Sequence, residues 1–143
     1  MTSNLLCPFD EKFTMAIHIT KICSSAFYHL HNIRRIRKYL SLDSAQILIH
    51  SFITSRVDYC NSLLYGESAY QLDKLQRVQN AAARLVFMEN KFCHITPLLL
   101  KLHWLPVKFR VNFKILLVTF KAIHGLAPSY ITELITIKSS AIG

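Results

Sequence analysis

The sequence predicts an all-α protein, a single irregular bundle of about five to six helices with flexible termini. Three observations carry this prediction. Hydrophobic residues make up 52% of the 143 residues, enough for a core in a chain of one domain's length. Gly 3 and Pro 4 are too few for the hairpins and tight turns of a β-sandwich or barrel. Apolar residues also recur at helical period through almost the whole chain. There is no solenoid repeat, Pro-rich or Ser-rich linker or low-complexity tract, so one unit is expected over 13–138. A weakly structured start over 1–12 and a loose tail over 139–143 flank it.

The first helix is expected at about 13–38, because Met15, Ile19, Ile22, Ala26, Leu30 and Ile33 fall within an arc of about 80° in helical projection. Ser41-Leu42-Asp43-Ser44 offers an N-cap for a second helix. One face of that helix would carry Ala45, Leu48, Ile49, Phe52, Ile53, Tyr59, Cys60 and Leu63, and Gly66 would stop it near Tyr65. Ser68 can cap a third helix with Leu72, Leu75, Val78, Ala82, Leu85 and Val86 on one stripe, ended by Glu89-Asn90-Lys91. Thr96-Pro97 and Leu105-Pro106 each place proline at a first helical position, giving a short helix and then a long one that ends near Gly125. Pro128 starts a last short helix. The long helix after Pro106 has two apolar stripes: Phe109, Phe113, Leu116, Leu117, Phe120 and Ile123, and opposite them Val107, Val111, Ile115, Val118 and Ala122. It is therefore expected to be central and covered on both sides.

Charge narrows the function classes. Lys+Arg 17 against Asp+Glu 8 leaves a net charge of +9, which favours an anionic partner. A mean hydropathy of +0.28 is high for a free-standing domain and predicts apolar surface that something else covers. Cys7, Cys23, Cys60 and Cys93 lie far apart with no C-x-x-C pairing, the pattern of reduced thiols in an intracellular protein. The start shows no signal-peptide pattern, and the run Ile115 to Val118 is far below the roughly 18 apolar residues that span a bilayer. Two-metal phosphoryl chemistry needs converging carboxylates, yet of the eight acids only Asp10 and Glu11 are adjacent. No histidine pair has the spacing of H-E-x-x-H, no G-x-S-x-G elbow occurs, and Cys93-His94 are neighbours rather than a nucleophile and base. No metal, cofactor or catalytic residue is expected.

What remains is cationic. Arg34, Arg35, Arg37 and Lys38 crowd the end of the first helix beside Tyr28 and Tyr39. They suit either phosphate contacts or compensation of the helix dipole. Arg110, Lys114 and Lys121 stack within about 40° as a basic ridge between the two stripes of the long helix. Arg77 and Arg84 are weaker candidates, since Asp73 lies four residues before Arg77. Arg56 projects into the second helix's apolar face, where a guanidinium needs a buried acid such as Asp43 or Asp73, or a missing partner or nucleic acid. Trp104 fits a core position better than a base-stacking platform.

Longer motifs then point to a family. His29-Leu30-His31-Asn32-Ile33-Arg34-Arg35-Ile36-Arg37, the run Phe52 to Gly66 (FITSRVDYCNSLLYG), the run Leu75 to Leu85 (LQRVQNAAARL), His94-Ile95-Thr96-Pro97 and Leu102-His103-Trp104-Leu105-Pro106-Val107 occur in this order. Together they resemble the segment downstream of the palm in LINE-type non-LTR retrotransposon reverse transcriptases, from about Asn4 to Leu134. The resemblance implies a helical, thumb-like part of an RNA-directed DNA polymerase that helps hold an RNA or DNA template-primer. It also implies that the palm and its catalytic aspartates lie upstream, so that this segment would not polymerise alone. Asn4 to Asp10 resembles only the trailing edge of the palm and departs from the family's glycine-containing strand at Leu6 and Pro8. A chain starting here at its own Met1 looks like a truncated element copy. The alternative expectation is a helical protein-interaction module, an orphaned palm-docking surface with exposed apolar faces and no nucleic-acid binding of its own.

Overall fold

The computed structural model describes residues 8–59 and 64–135, with side chains from residue 15 onward. Helix α1 spans Pro8–Ile36 and tightens into a 3-10 turn, Arg37–Tyr39. Helix α2, Leu42–Ile49, runs through a π turn, His50–Thr54, into α3, Ser55–Asp58. Then come α4, Ala69–Phe87; α5, Ile95–Lys101; α6, Val107–Ile123; and α7, Ser129–Thr132. The described residues contain no strand, so the fold is the all-α bundle expected. Helix α1 begins five residues before the expected boundary at 13. Cys7, Cys60, Leu63 and the tail 139–143 lie outside the described residues.

Short side chains start the elements where the sequence places caps. Ser41 Oγ accepts from the Ser44 amide at 3.2 Å, and Ser68 Oγ from the Gln71 amide at 3.4 Å. The prolines act one or two positions off their expected place. Pro106 and Pro128 are the cap residues of α6 and α7, and Pro97 is the third residue of α5. The reason they fit is unchanged, because none of these positions requires an N–H within the helix.

Helices α1 and α4 run parallel. Lys74 Nζ, in the first half of α4, lies 3.5 Å from Thr20 Oγ1, while Arg37 reaches the carbonyls of Leu85 and Val86 at the C-terminal ends of both helices. The core forms between them: Ile19, Ala26, Leu30 and Ile33 of α1 meet Leu75, Val78, Ala82, Leu85 and Val86 of α4, with Met15, Ile22 and Leu72 packed at the edge. These are the stripes read from the sequence. A smaller cluster joins Ala83 to Leu98 and Leu99, and Trp104 packs against both clusters as a core aromatic.

Two expected faces are corrected. On the second rod, formed by α2, the π turn and α3, the buried residues are Ala45, Ile49, Ile53, Thr54 and Val57, whereas Phe52 and Tyr59 are exposed. A π turn accommodates one more residue than an α turn and rotates the following face by roughly 100°, which keeps a four-residue stride facing the core. On α6 only one of the two stripes is covered. Val107, Val111 and Ala122 are buried, while Phe109, Phe113, Leu116, Phe120 and Ile123 are exposed, so the helix is peripheral rather than central.

The two faces of the second rod separate in an unfolding experiment. Ile53→Ala should cost about 2–5 kcal/mol in urea denaturation followed by circular dichroism, the range for a fully buried aliphatic side chain. Phe52→Ala should cost less than about 1.5 kcal/mol, since its ring is 41% exposed and has His29 stacked on it.

Candidate functional site

The parallel packing of α1 and α4 brings their C-terminal ends to the same end of the bundle. Between them lies a hollow of about 550 Å³ whose lining includes Arg34, Arg37 and Lys38 from the first helix and its 3-10 turn, and Arg84 from α4. Helix α4 ends on Met88 in the left-handed region (φ 57°), and the Glu89 amide donates back to the Arg84 carbonyl at 2.9 Å. Asn90 Oδ1 then accepts from the amides of Phe92 and Cys93, at 2.9 and 3.1 Å. This turn carries Lys91 into the lining of the hollow beside Arg84.

Five cations, Arg34, Arg37, Lys38, Arg84 and Lys91, therefore meet one acid, Glu89. Two helix C-termini supply about half a negative charge each, so dipole compensation uses roughly one of the four net positive charges. The surplus faces the hollow. Exposed aromatic rings adjoin it, with Lys38 Nζ 4.9 Å from the ring centre of Tyr39 and Lys91 Nζ 5.0 Å from that of Phe92.

The expected phosphate-binding residues take different roles. Arg37 is the clearest correction. It is only 7% exposed, and its Nε, Nη1 and Nη2 donate to the carbonyls of Leu85 (3.1 Å), Leu40 (2.9 Å) and Val86 (2.5 Å). Its guanidinium closes the end of α4 and has no free fork for a phosphate. Arg34 and Lys38 are exposed and line the hollow, whereas Arg35 is exposed but is not among its lining residues.

The ridge on α6 is also divided. Arg110 Nη1 lies 2.6 and 2.7 Å from the two Asp58 carboxylate oxygens, and Nε donates to the Leu105 carbonyl at 2.9 Å, so this guanidinium ties α6 to α3. Lys114 is exposed and shares a second hollow of about 330 Å³ with Asp58, His103 and Arg110. Lys121 is exposed farther along the helix. The two expected groups thus line separate hollows.

Arg56 is corrected as well. It is exposed rather than buried on an apolar face, and its Nη1 donates to the Ser25 hydroxyl on α1. The π turn just before it rotates it off the core. Arg84 and Lys91, weak or unconsidered in the sequence, belong to the site. Arg84 Nη2 donates to the Cys93 carbonyl at 3.2 Å, and its buried Nε has no hydrogen-bond partner.

Among the described residues no activated nucleophile stands out. Burial pushes the Cys23 thiol up from its ordinary range, with Lys74 partly opposing, which disfavours the reactive thiolate. Among the described residues, no three His, Cys, Asp or Glu side chains are grouped closely enough to hold a metal ion, and no helix is long and apolar enough to cross a membrane. Comparison with family models, curated proteins and solved structures gives no match for this chain.

Two predictions concern this end of the bundle and the Cys23 thiol farther back on α1. Arg37→Ala should lower stability by about 3 kcal/mol or more, because three carbonyls lose a charged donor, whereas Lys38→Ala should stay within about 0.5 kcal/mol; thermal denaturation reads both. At pH 8, Cys23 should be alkylated by iodoacetamide more slowly in the folded chain than in urea, with mass spectrometry assigning the site; its raised pKa withholds the thiolate until pH climbs past the ordinary thiol range.

Proposed function

We propose that this chain is a helical, post-palm segment of a non-LTR retrotransposon reverse transcriptase. In this reading it contacts the phosphate backbone of a template-primer without reading its sequence and carries no polymerase activity of its own. The observation that supports this reading best is the hollow between the ends of α1 and α4, where five cations meet one acid. Phosphate contacts of this kind supply affinity and position while leaving bases unread. The flanking Tyr39 and Phe92 add exposed rings on which unpaired bases can stack. The ordered motifs from His29 to Val107 give the family resemblance, and the eight dispersed acids fit a segment that leaves metal-assisted chemistry to another domain. An intracellular setting follows from the same reading, since that is where template and primer meet.

A second reading, a helical protein-interaction module, is favoured by the outward apolar stripe of α6.

Fluorescence anisotropy of a labelled template-primer titrated with the chain between about 50 and 200 mM salt tests the first reading. Affinity should fall steeply with salt. In a variant with Arg34→Glu, Lys38→Glu and Lys91→Glu, all exposed positions, the slope of log affinity against log salt should shrink by about 2–3 for a duplex site. A folded triple variant that binds as tightly as the parent would overturn the proposal.

A further inference from the structure

Helix α6 carries a second surface of a different kind. Phe109, Phe113, Leu116, Phe120 and Ile123 follow one another at spacings of four, three, four and three residues, the alternation that keeps one seam of a helix facing a partner helix. Each is at least half exposed, and Leu116, at the centre, is 68% exposed. The opposite face, Val107, Val111 and Ala122, is buried against the bundle. The stripe is therefore outside the core and extends about 21 Å along the helix.

We infer that this seam pairs with the same seam of a second copy of the chain. The inference rests on the interaction-module reading and not on the phosphate-contact reading. Two features favour a second copy. Five residues of this size and exposure offer on the order of 500 Å² per chain, so two copies bury about 1,000 Å², the lower limit for a specific interface. A chain of net charge +9 should repel itself, yet the positions flanking the seam are Asn112, Leu117, Thr119, His124 and Arg110. Arg110 is held by Asp58, while Lys108, Lys114 and Lys121 lie one step farther round, so no free like charge occupies a flanking position. The helix is held from behind by its neighbours, so pairing needs no refolding.

Sedimentation equilibrium of the full 143-residue chain over about 1–200 µM tests this. A monomer–dimer equilibrium in roughly the micromolar range is expected. Leu116→Glu should weaken it at least tenfold with an unchanged circular dichroism spectrum, and Ile47→Glu, at another exposed apolar position, should leave it intact. Parallel titration with an apolar-surface dye separates the failures. A monomer whose dye binding is lost on Leu116→Glu overturns the dimer but keeps the interaction-module reading with a different partner. A monomer that binds no dye overturns both, and open-ended association unaffected by Leu116→Glu overturns the seam as the contact.

Discussion

The bundle depends on one guanidinium. Parallel packing of α1 against α4 places two negative helix ends side by side, and the last carbonyls of α4 are buried where water cannot satisfy them. Arg37 answers both requirements by donating to Leu85 and Val86 on α4 and to Leu40 on its own side. Lysine would bring the charge without the planar fork that reaches three carbonyls at once. Because Arg37 leaves α1 in a 3-10 turn, its side chain swings inward while Arg34 and Lys38 stay on the surface. The basic hollow is thus built around a buried cation that organises it and exposed ones that are available.

A second polar device fixes the other half. Gln76 and Gln79 sit on α4, facing the loop before α6. Gln76 Oε1 accepts from the Val107 amide at 2.8 Å, satisfying one of the first amides of α6, and Gln79 Nε2 donates to the Leu105 carbonyl at 2.8 Å. Gln76 Nε2 in turn donates to Gln79 and Asn80 side-chain oxygens, so each amide is oriented by another. With Arg110 on Asp58, this network sets how α6 is rolled and therefore which stripe it presents outward.

Periodicity made the fold legible, and the reasons it failed elsewhere are specific. The α1 and α4 stripes lie on long, regular helices whose apolar arcs coincide with the core. The second rod misled because a π turn, invisible to a fixed 100° step, shifts phase between Ile49 and Ser55, exposing Phe52, Tyr59 and Arg56. The two stripes of α6 were both real as apolar faces, but a pattern cannot say whether a face has a partner within the chain. At the candidate site the cluster 34–38 was visible, whereas Arg84 and Lys91 join it only through the parallel packing of helices about 50 residues apart. Nor could charge density alone tell that Arg37, alike in type to its neighbours, turns inward.

These reasons bear on the chain's excess of apolar residues. A mean hydropathy of +0.28 would be unremarkable if the surplus enlarged the core, yet α6 contributes only Val107, Val111 and Ala122 to the fully buried set and leaves three phenylalanines outside. Exposed apolar side chains occur along the whole bundle, but on α6 five of them fall on one continuous stripe, and contiguity is what sets such a stripe apart from ordinary surface composition. The cationic hollow belongs to the ends of α1 and α4, and the seam to α6, with the glutamine network between them holding polar rather than charged groups. Substitutions at one surface therefore leave the supports of the other in place, and the two surfaces are structurally separable parts of the same bundle.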